Sequence, residues 1–312
     1  MPGALLWGDD GAHWPHRTHS HFLQVSGQRW HVQCWPPPRP EAPTWLLLHG
    51  TGASTHSWRG LAPLLATQVG LVAPDLPGHG FSGPAPIGRA GMEGMAQGVR
   101  MLLRELGLNP SATVGHSAGA AIAIRWRLRE DAADGAKPLQ HTLFGLNAAL
   151  LPLQGLAGTL FSPAAKLLAL NPLAPHFFSW HATQGRMLAR LLGSTGSTLD
   201  AEGAALYRRL IESPAHVAGA LAMMAQWDLP ALARDLPALR TPLHLVVGEA
   251  DGTIPPADAA RVQRLLPSVQ LHRLPGLGHL AHEEAPARVA ALLLGLGGFA
   301  TPPIQPRMHG AP

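Results

Sequence analysis

Gly115-His116-Ser117-Ala118-Gly119 is a G-x-S-x-G pentapeptide lying between an apolar run, Ala112–Gly115, and a helical one, Gly119–Arg129. Small residues at its two ends permit a sharp strand-to-helix turn, and the helix N-terminus adds positive potential behind the serine. A serine hydroxyl is a weak nucleophile and needs a base. The chain has 18 histidines, so position has to choose among them. His279 ends Pro275-Gly276-Leu277-Gly278-His279, just after the last strand-like run; His282 is the alternative, on the first turn of a following helix. The base needs an acid to fix its tautomer and stabilise the imidazolium. Asp251 and Glu249 compete for that role, both just past the apolar run Leu243–Gly248. Two backbone N–H groups must meet the developing oxyanion. Ala118 supplies one, and Thr51 of the His49-Gly50-Thr51-Gly52 loop the other; Ser54 or Thr55 either assists there or caps a turn. The chemistry this set supports is acyl transfer at an ester or amide carbonyl.

Other candidates read more weakly. His13, His16, His19 and His21 have metal-binding side chains, but no carboxylate or cysteine pattern accompanies them, so a solvated segment is the reading. No metal or cofactor is expected. Trp180, His181, Met223 and Trp227 fall in a helical stretch, as either its core or the wall of a large apolar pocket. Asp75-Leu76-Pro77-Gly78-His79-Gly80-Phe81-Ser82 reads as a structural loop bracing the oxyanion loop. No G-x-x-x-x-G-K-[ST] phosphate loop is present.

The elements that must position these residues are legible. Phe22–Ser26 and Arg29–Trp35 alternate as an edge hairpin. Trp45–Leu48, Val69–Ala73, Ala112–Gly115, His141–Leu146, Leu243–Gly248 and Val269–Leu274 are short apolar runs, as in strands buried on both faces. Helical spacing appears at Ser57–Thr67, Gly91–Leu106, Gly119–Arg129, Ala257–Leu266 and Glu284–Leu294. Alternation of the two implies an α/β fold with a mostly parallel sheet flanked by helices. It breaks between about Leu151 and Leu229, which reads as an inserted helical cap over the carboxyl end of the sheet. The expected organisation is a core of residues 1–150 and 230–296, a cap of 151–229 and a disordered tail of 297–312, with the first dozen residues also loose.

Composition narrows the class. Hydrophobic residues make up 46% of 312 and charged ones 13%, enough for a large core and too apolar for a disordered chain. The formal charge of +4 comes from scattered arginines, with no stripe that would mark a nucleic-acid face. A single cysteine, Cys34, excludes an intramolecular disulfide and suits a reducing cytoplasm. Residues 142–165 carry no charge, yet Asn147, Pro152, Gln154, Pro163 and several glycines interrupt them. A buried strand running into an apolar cap fits better than a membrane span. The expectation is a cytoplasmic protein with peripheral membrane contact left open.

G-x-S-x-G between strand and helix is the nucleophile elbow of the α/β-hydrolase fold, whose triad runs serine, acid, histidine along the chain. That resemblance selects Ser117, Asp251 and His279; the G-x-x-D spacing of Gly248 to Asp251 favours Asp251 over Glu249. Longer strings make a narrower match. Residues 45–59, 115–121, 206–210 and 216–229, together with Trp30-His31-Val32-Gln33, resemble the magnesium-chelatase accessory family of bacteriochlorophyll biosynthesis (BchO). The likeness covers roughly residues 14 to 295, and agreement inside the cap is its specific part. It implies a role beside magnesium insertion into protoporphyrin in a phototrophic bacterium, a tetrapyrrole or tetrapyrrole ester as substrate, and contact with the chelatase. It implies no defined reaction. Two alternatives stay open: a general carboxylesterase or carbon–carbon bond hydrolase unrelated to pigment, and a non-catalytic tetrapyrrole-binding accessory. Epoxide hydrolases and haloalkane dehalogenases fit less well, since they carry Asp where Ser117 stands.

Overall fold

A computed structural model of the protein describes residues 3–133, 141–152, 171, 173–182 and 186–300. Among them, eight strands form one sheet: β1 Ser20–Val25, β2 Gln28–Trp35, β3 Thr44–Leu48, β4 Gly70–Pro74, β5 Ala112–His116, β6 Thr142–Leu146, β7 Leu243–Gly248 and β8 Gln270–Leu274. Their order is β1-β2-β4-β3-β5-β6-β7-β8. β1 pairs antiparallel with β2, and β2 with β4; every later pairing is parallel. The edge hairpin turns at Ser26-Gly27, with φ of 50° and 81°. Positive φ at both central residues is what a two-residue turn between right-twisted strands requires.

Alternation along the central strands sends neighbours to opposite faces. Leu46 and Leu48 of β3 join one buried cluster, while Trp45 and Leu47 join the other. The first cluster is covered by α2 (Met92–Glu105) and α3 (Ala118–Ala133), the second by α1 (Ala62–Leu65) and a C-terminal helix, α11 (Pro286–Leu296). With both faces covered, parallel strands have to be apolar throughout, and β4, β5 and β7 are buried along their whole lengths.

Between β6 and β7 the described helices are α4 Ala174–Ala182, α5 Arg186–Ser194, α6 Ala201–Ile211, α7 Pro214–Ala225 and α8 Leu229–Asp235. Local capping starts three of them. The side chains of Asp200, Ser213 and Asp228 accept from the amides of Gly203, His216 and Ala231. After β7 come α9 Ala257–Leu265 and, ahead of α11, the short α10 Ala281–Glu284. Among the described residues no helix is long and apolar enough to cross a membrane; part of the uncharged stretch 142–165 is β6, and residues 153–165 lie outside the described ones.

Described residues near both ends pack against the core, and the start of the chain is not loose: Trp7 stands edge-on to Phe81. The start of the chain is anchored by Trp14, which is buried against Phe81 and donates its indole N–H to Thr55 Oγ1 at 3.1 Å. His16 and His19 are likewise engaged rather than solvated: His16 bonds to the Arg59 carbonyl at 2.8 Å, and His19 stacks on Trp35. At the other end the chain stays docked past Gly297, because Phe299 stands edge-on to Trp45. Residues 301–312 lie outside the described ones.

Candidate active site

Ser117 occupies the single residue between β5 and α3, with φ of 50°. A left-handed conformation at a non-glycine residue costs about 1–2 kcal/mol and persists only where its surroundings impose it. Here they do. The Ser117 amide donates to the Leu146 carbonyl at 2.9 Å, extending the β5–β6 ladder one residue beyond β5. Its carbonyl accepts from Ala120, already inside the helix. The helix then passes so close to β3 that a Cβ on Gly119 would lie 2.1 Å from the Leu48 carbonyl oxygen. The Ser117 side chain is half-buried and makes no hydrogen bond among the described residues.

The loop after β3 passes directly over the serine. A Cβ on Gly50 would fall 3.2 Å from Ser117 Cβ and 2.8 Å from His116 Nδ1. Next to it, the amides of Thr51 and Ala118 donate to no acceptor among the described residues. Donors left free beside a nucleophile are what an oxyanion would need. His49 braces this loop: its Nδ1 donates to the Gly50 carbonyl, and its Nε2 accepts from the Leu76 amide at 2.9 Å. Asp75 braces the neighbouring loop, accepting from the amides of Thr55 and Phe81 and from His31. These contacts hold its carboxyl well below the usual carboxylate range despite complete burial. Ser54 and Thr55 act as local supports: Ser54 Oγ bonds to His56 Nδ1, and Thr55 Oγ1 accepts from Trp14.

Asp251 and His279 meet. His279 Nδ1 donates to Asp251 Oδ2 at 2.8 Å, and both residues are buried. The other carboxylate oxygen accepts from the amides of Thr253 and Ile254, at 2.7 and 2.8 Å. Glu249, the competing acid, points elsewhere, toward Arg273. His279 stands beside the elbow: His116 Nε2 donates to its carbonyl at 3.0 Å, and the two rings are 4.8 Å apart. His282 is fully buried between Trp58 and His116, with neither ring nitrogen paired among the described residues, and burial holds it down to about 3. It is too enclosed to serve as a proton shuttle.

Asn147 was missed. Its Nδ2 donates to Asp251 Oδ2 at 2.8 Å, so this oxygen accepts two bonds and its carboxylate four. Asn147 follows β6 directly and has φ of 45°, a conformation that Asn tolerates better than most residues. A polar residue ending an apolar strand at the carboxyl end of the sheet was the available signal.

The cap residues separate. Met223 and Trp227 join the main buried cluster with Leu229 and Leu232, and Thr51 Oγ1 donates to Met223 Sδ at 3.4 Å. Trp180 is 61% exposed on α4, and the side chain of His181 lies outside the described residues. His216 ties α7 to both loops at the sheet's carboxyl end, accepting from the Gly80 amide on Nδ1 and donating to the Gly52 carbonyl from Nε2.

Sheet order, elbow and loop placement define one class. Residues 45–292 match the model of the alpha/beta hydrolase family, and the chain belongs to that family. Within it, the chain is 38% identical to the magnesium-chelatase 30 kDa subunit of Rhodobacter capsulatus, over 91% of this chain and 96% of that protein. It is 26% identical to an sn-1-specific diacylglycerol lipase of Mus musculus, over 78% and 77% of the two chains. Among solved structures, an esterase from Thermogutta terrifontis superposes with a TM-score of 0.68 at 22% identity, over 89% of this chain and 98% of that one. The likeness to the magnesium-chelatase accessory family, read first from a handful of strings, thus extends over nearly the whole chain.

Proposed function

We propose that this protein is a serine hydrolase acting as an accessory of magnesium chelatase in bacteriochlorophyll biosynthesis. The observation that carries the chemical half is the His279–Asp251 pair, its carboxylate accepting four hydrogen bonds and its imidazole packed on His116 of the elbow, where Ser117 is held at positive φ. Ser117 Oγ attacks an ester or amide carbonyl while His279 Nε2 takes its proton. The amides of Thr51 and Ala118 hold the oxyanion, and His279 passes the proton to the leaving group. Water, deprotonated by the same imidazole, then releases the acyl group from Ser117. Asp251 stabilises the imidazolium. Ser117 makes no hydrogen bond to His279 among the described residues; in such sites this bond often tightens only as substrate binds.

The pathway half rests on the 38% identity to the Rhodobacter capsulatus protein across almost its full length. The substrate is then a tetrapyrrole or a tetrapyrrole ester, entering under the cap near Met223, with the chelatase as neighbour. A cytoplasmic location, with or without peripheral membrane contact, suits both.

Two measurements test this reading. A fluorophosphonate probe should label the wild type at neutral pH and leave Ser117→Ala unlabelled; an unlabelled wild type ends the hydrolase reading. In a phototroph lacking this protein, wild type should restore bacteriochlorophyll and Ser117→Ala should not. Equal restoration by both would make the protein a binding accessory, and restoration by neither, at normal expression, would remove the pigment assignment.

A further inference from the structure

The segment Thr195–Thr198, which joins α5 to α6, reaches out of the helical region into the site. The carbonyl of Thr195 accepts two amides, from His279 at 3.0 Å and from Gly252 at 3.1 Å. One donor is the base itself; the other directly follows the acid. Ser197, buried, accepts from the Leu280 amide at 2.8 Å and donates to Glu284 Oε1 at 2.7 Å. Glu284 in turn accepts from the amides of Gly278 at 2.8 Å and Thr198 at 3.2 Å. The amides of three consecutive residues, Gly278, His279 and Leu280, are therefore all fixed by this segment or by the carboxylate it holds.

The packing is backbone against backbone. Gly196 has φ of 73°, and a Cβ there would lie 1.9 Å from the Ala250 carbonyl oxygen. A Cβ on Gly278 would lie 2.4 Å from Gly196 C and 2.5 Å from Ser197 Oγ. No side chain fits between the segment and either loop, so neither loop can shift without the other.

We propose that Thr195–Thr198 is a strap that sets the His279–Asp251 geometry, with Ser197 and Glu284 as positioning residues. It makes the cap and the acid–base pair one mechanical unit: whatever moves α5 or α6 moves the imidazole. The kinetic consequence rests on the hydrolase reading above, whereas the mechanical one does not.

The test pairs two serines that each make one side-chain donor bond and accept one amide. Ser197→Ala removes the strap's two side-chain bonds, from the Leu280 amide and to Glu284. Ser213→Ala removes the bond to the Gly3 carbonyl and the α7 cap on the His216 amide, neither of which touches the acid or base loop. Hydrogen–deuterium exchange is read over residues 276–282 and 249–254, and phosphonylation rate and kcat on a soluble ester are read alongside. For Ser197→Ala, exchange should rise about tenfold or more in both segments, including the acid loop that Ser197 does not touch. Phosphonylation and kcat should fall roughly 10- to 100-fold, as for a misplaced catalytic group, with KM within about twofold, and Ser197→Thr should recover most of the loss. Ser213→Ala should change neither segment. Should Ser197→Ala not fold, Glu284→Gln carries the same expectation from the other side of the bond. Exchange unchanged in the acid loop, or equal effects from the two serines, overturns the strap. If the wild type is never phosphonylated, the hydrolase reading fails while exchange still decides the strap.

Discussion

Lowering the pH from 7 to 5 should destabilise this protein far more than its carboxylates alone would explain. Burial holds nine histidines below their ordinary value: His141 and His216 down to about 4, His282 to about 3, and His49, His56, His79, His116, His244 and His272 in the same direction. A depressed folded value means that the unfolded chain binds more protons between that value and 6.5. Their stabilisation is complete above the unfolded value and is lost as pH falls. At pH 5 each of His141, His216 and His282 is almost wholly neutral when folded and almost wholly charged when unfolded, which costs about 2 kcal/mol apiece relative to pH 7. Glu283 works the other way. Burial pushes it up to about 7, so acid relieves it and returns about 2 kcal/mol over the same interval. The four groups together remove about 4 kcal/mol, and each remaining histidine adds to the loss. Against a total of about 5–15 kcal/mol, acid unfolding should begin near pH 5. Urea denaturation followed through the nine tryptophans at pH 7, 6 and 5 measures this directly. His216→Gln should lower the pH slope by about 1.4 kcal/mol per unit, one proton's worth. A stability at pH 5 within about 1 kcal/mol of that at pH 7 would refute the neutral burial of these rings.

Further expectations follow from single contacts. Asp251→Asn sets an amide N–H either against both His279 Nδ1–H and the Asn147 amide or against the Thr253 and Ile254 amides, so kcat should fall about 10⁴-fold in a folded protein; a loss below tenfold in steady-state assays would remove Asp251 from the chemistry. Gly119→Ala drives a methyl into the Leu48 carbonyl and should leave no soluble folded protein, as circular dichroism and gel filtration would show. Tyr207→Phe removes a donor to the buried Glu283 and should cost about 1–3 kcal/mol, read as a shift in urea midpoint. Burial pushes the Cys34 thiol up to about 11, so a disulfide reagent at pH 7.5 should react with it roughly 100-fold more slowly than with an exposed thiol.

What could be read from the sequence was local. The strands announce themselves because both faces are covered, and β3, β5 and β7 begin or end within a residue or two of their apolar runs. The elbow announces itself because its requirements, two small residues and a serine between strand and helix, fall within five positions. Boundaries moved where a local signal competed with context. The helix read over Ser57–Thr67 splits into a 3₁₀ turn at Thr55–Trp58 and the single turn α1, because the loop carrying Thr51 has to reach the elbow before the chain can cross the sheet.

The rest depends on segments that meet only after folding, and mostly through backbone atoms. Asn147 is one polar residue in an uncharged stretch; nothing nearby marks Asp251, 104 positions later, as its partner. The strap is harder still, because the atom joining the acid and base loops is a carbonyl, which every residue possesses. Its only trace in the sequence is negative: Gly196 and Gly278 lack side chains where the structure leaves no room for one. Glycine in a connecting segment ordinarily signals a turn, and Gly196 does sit in one. That the same residue also permits contact between the cap and the acid loop becomes readable only with both partners in view. The consequence is mechanistic: a substitution in this cap can impair the acid–base pair without touching substrate.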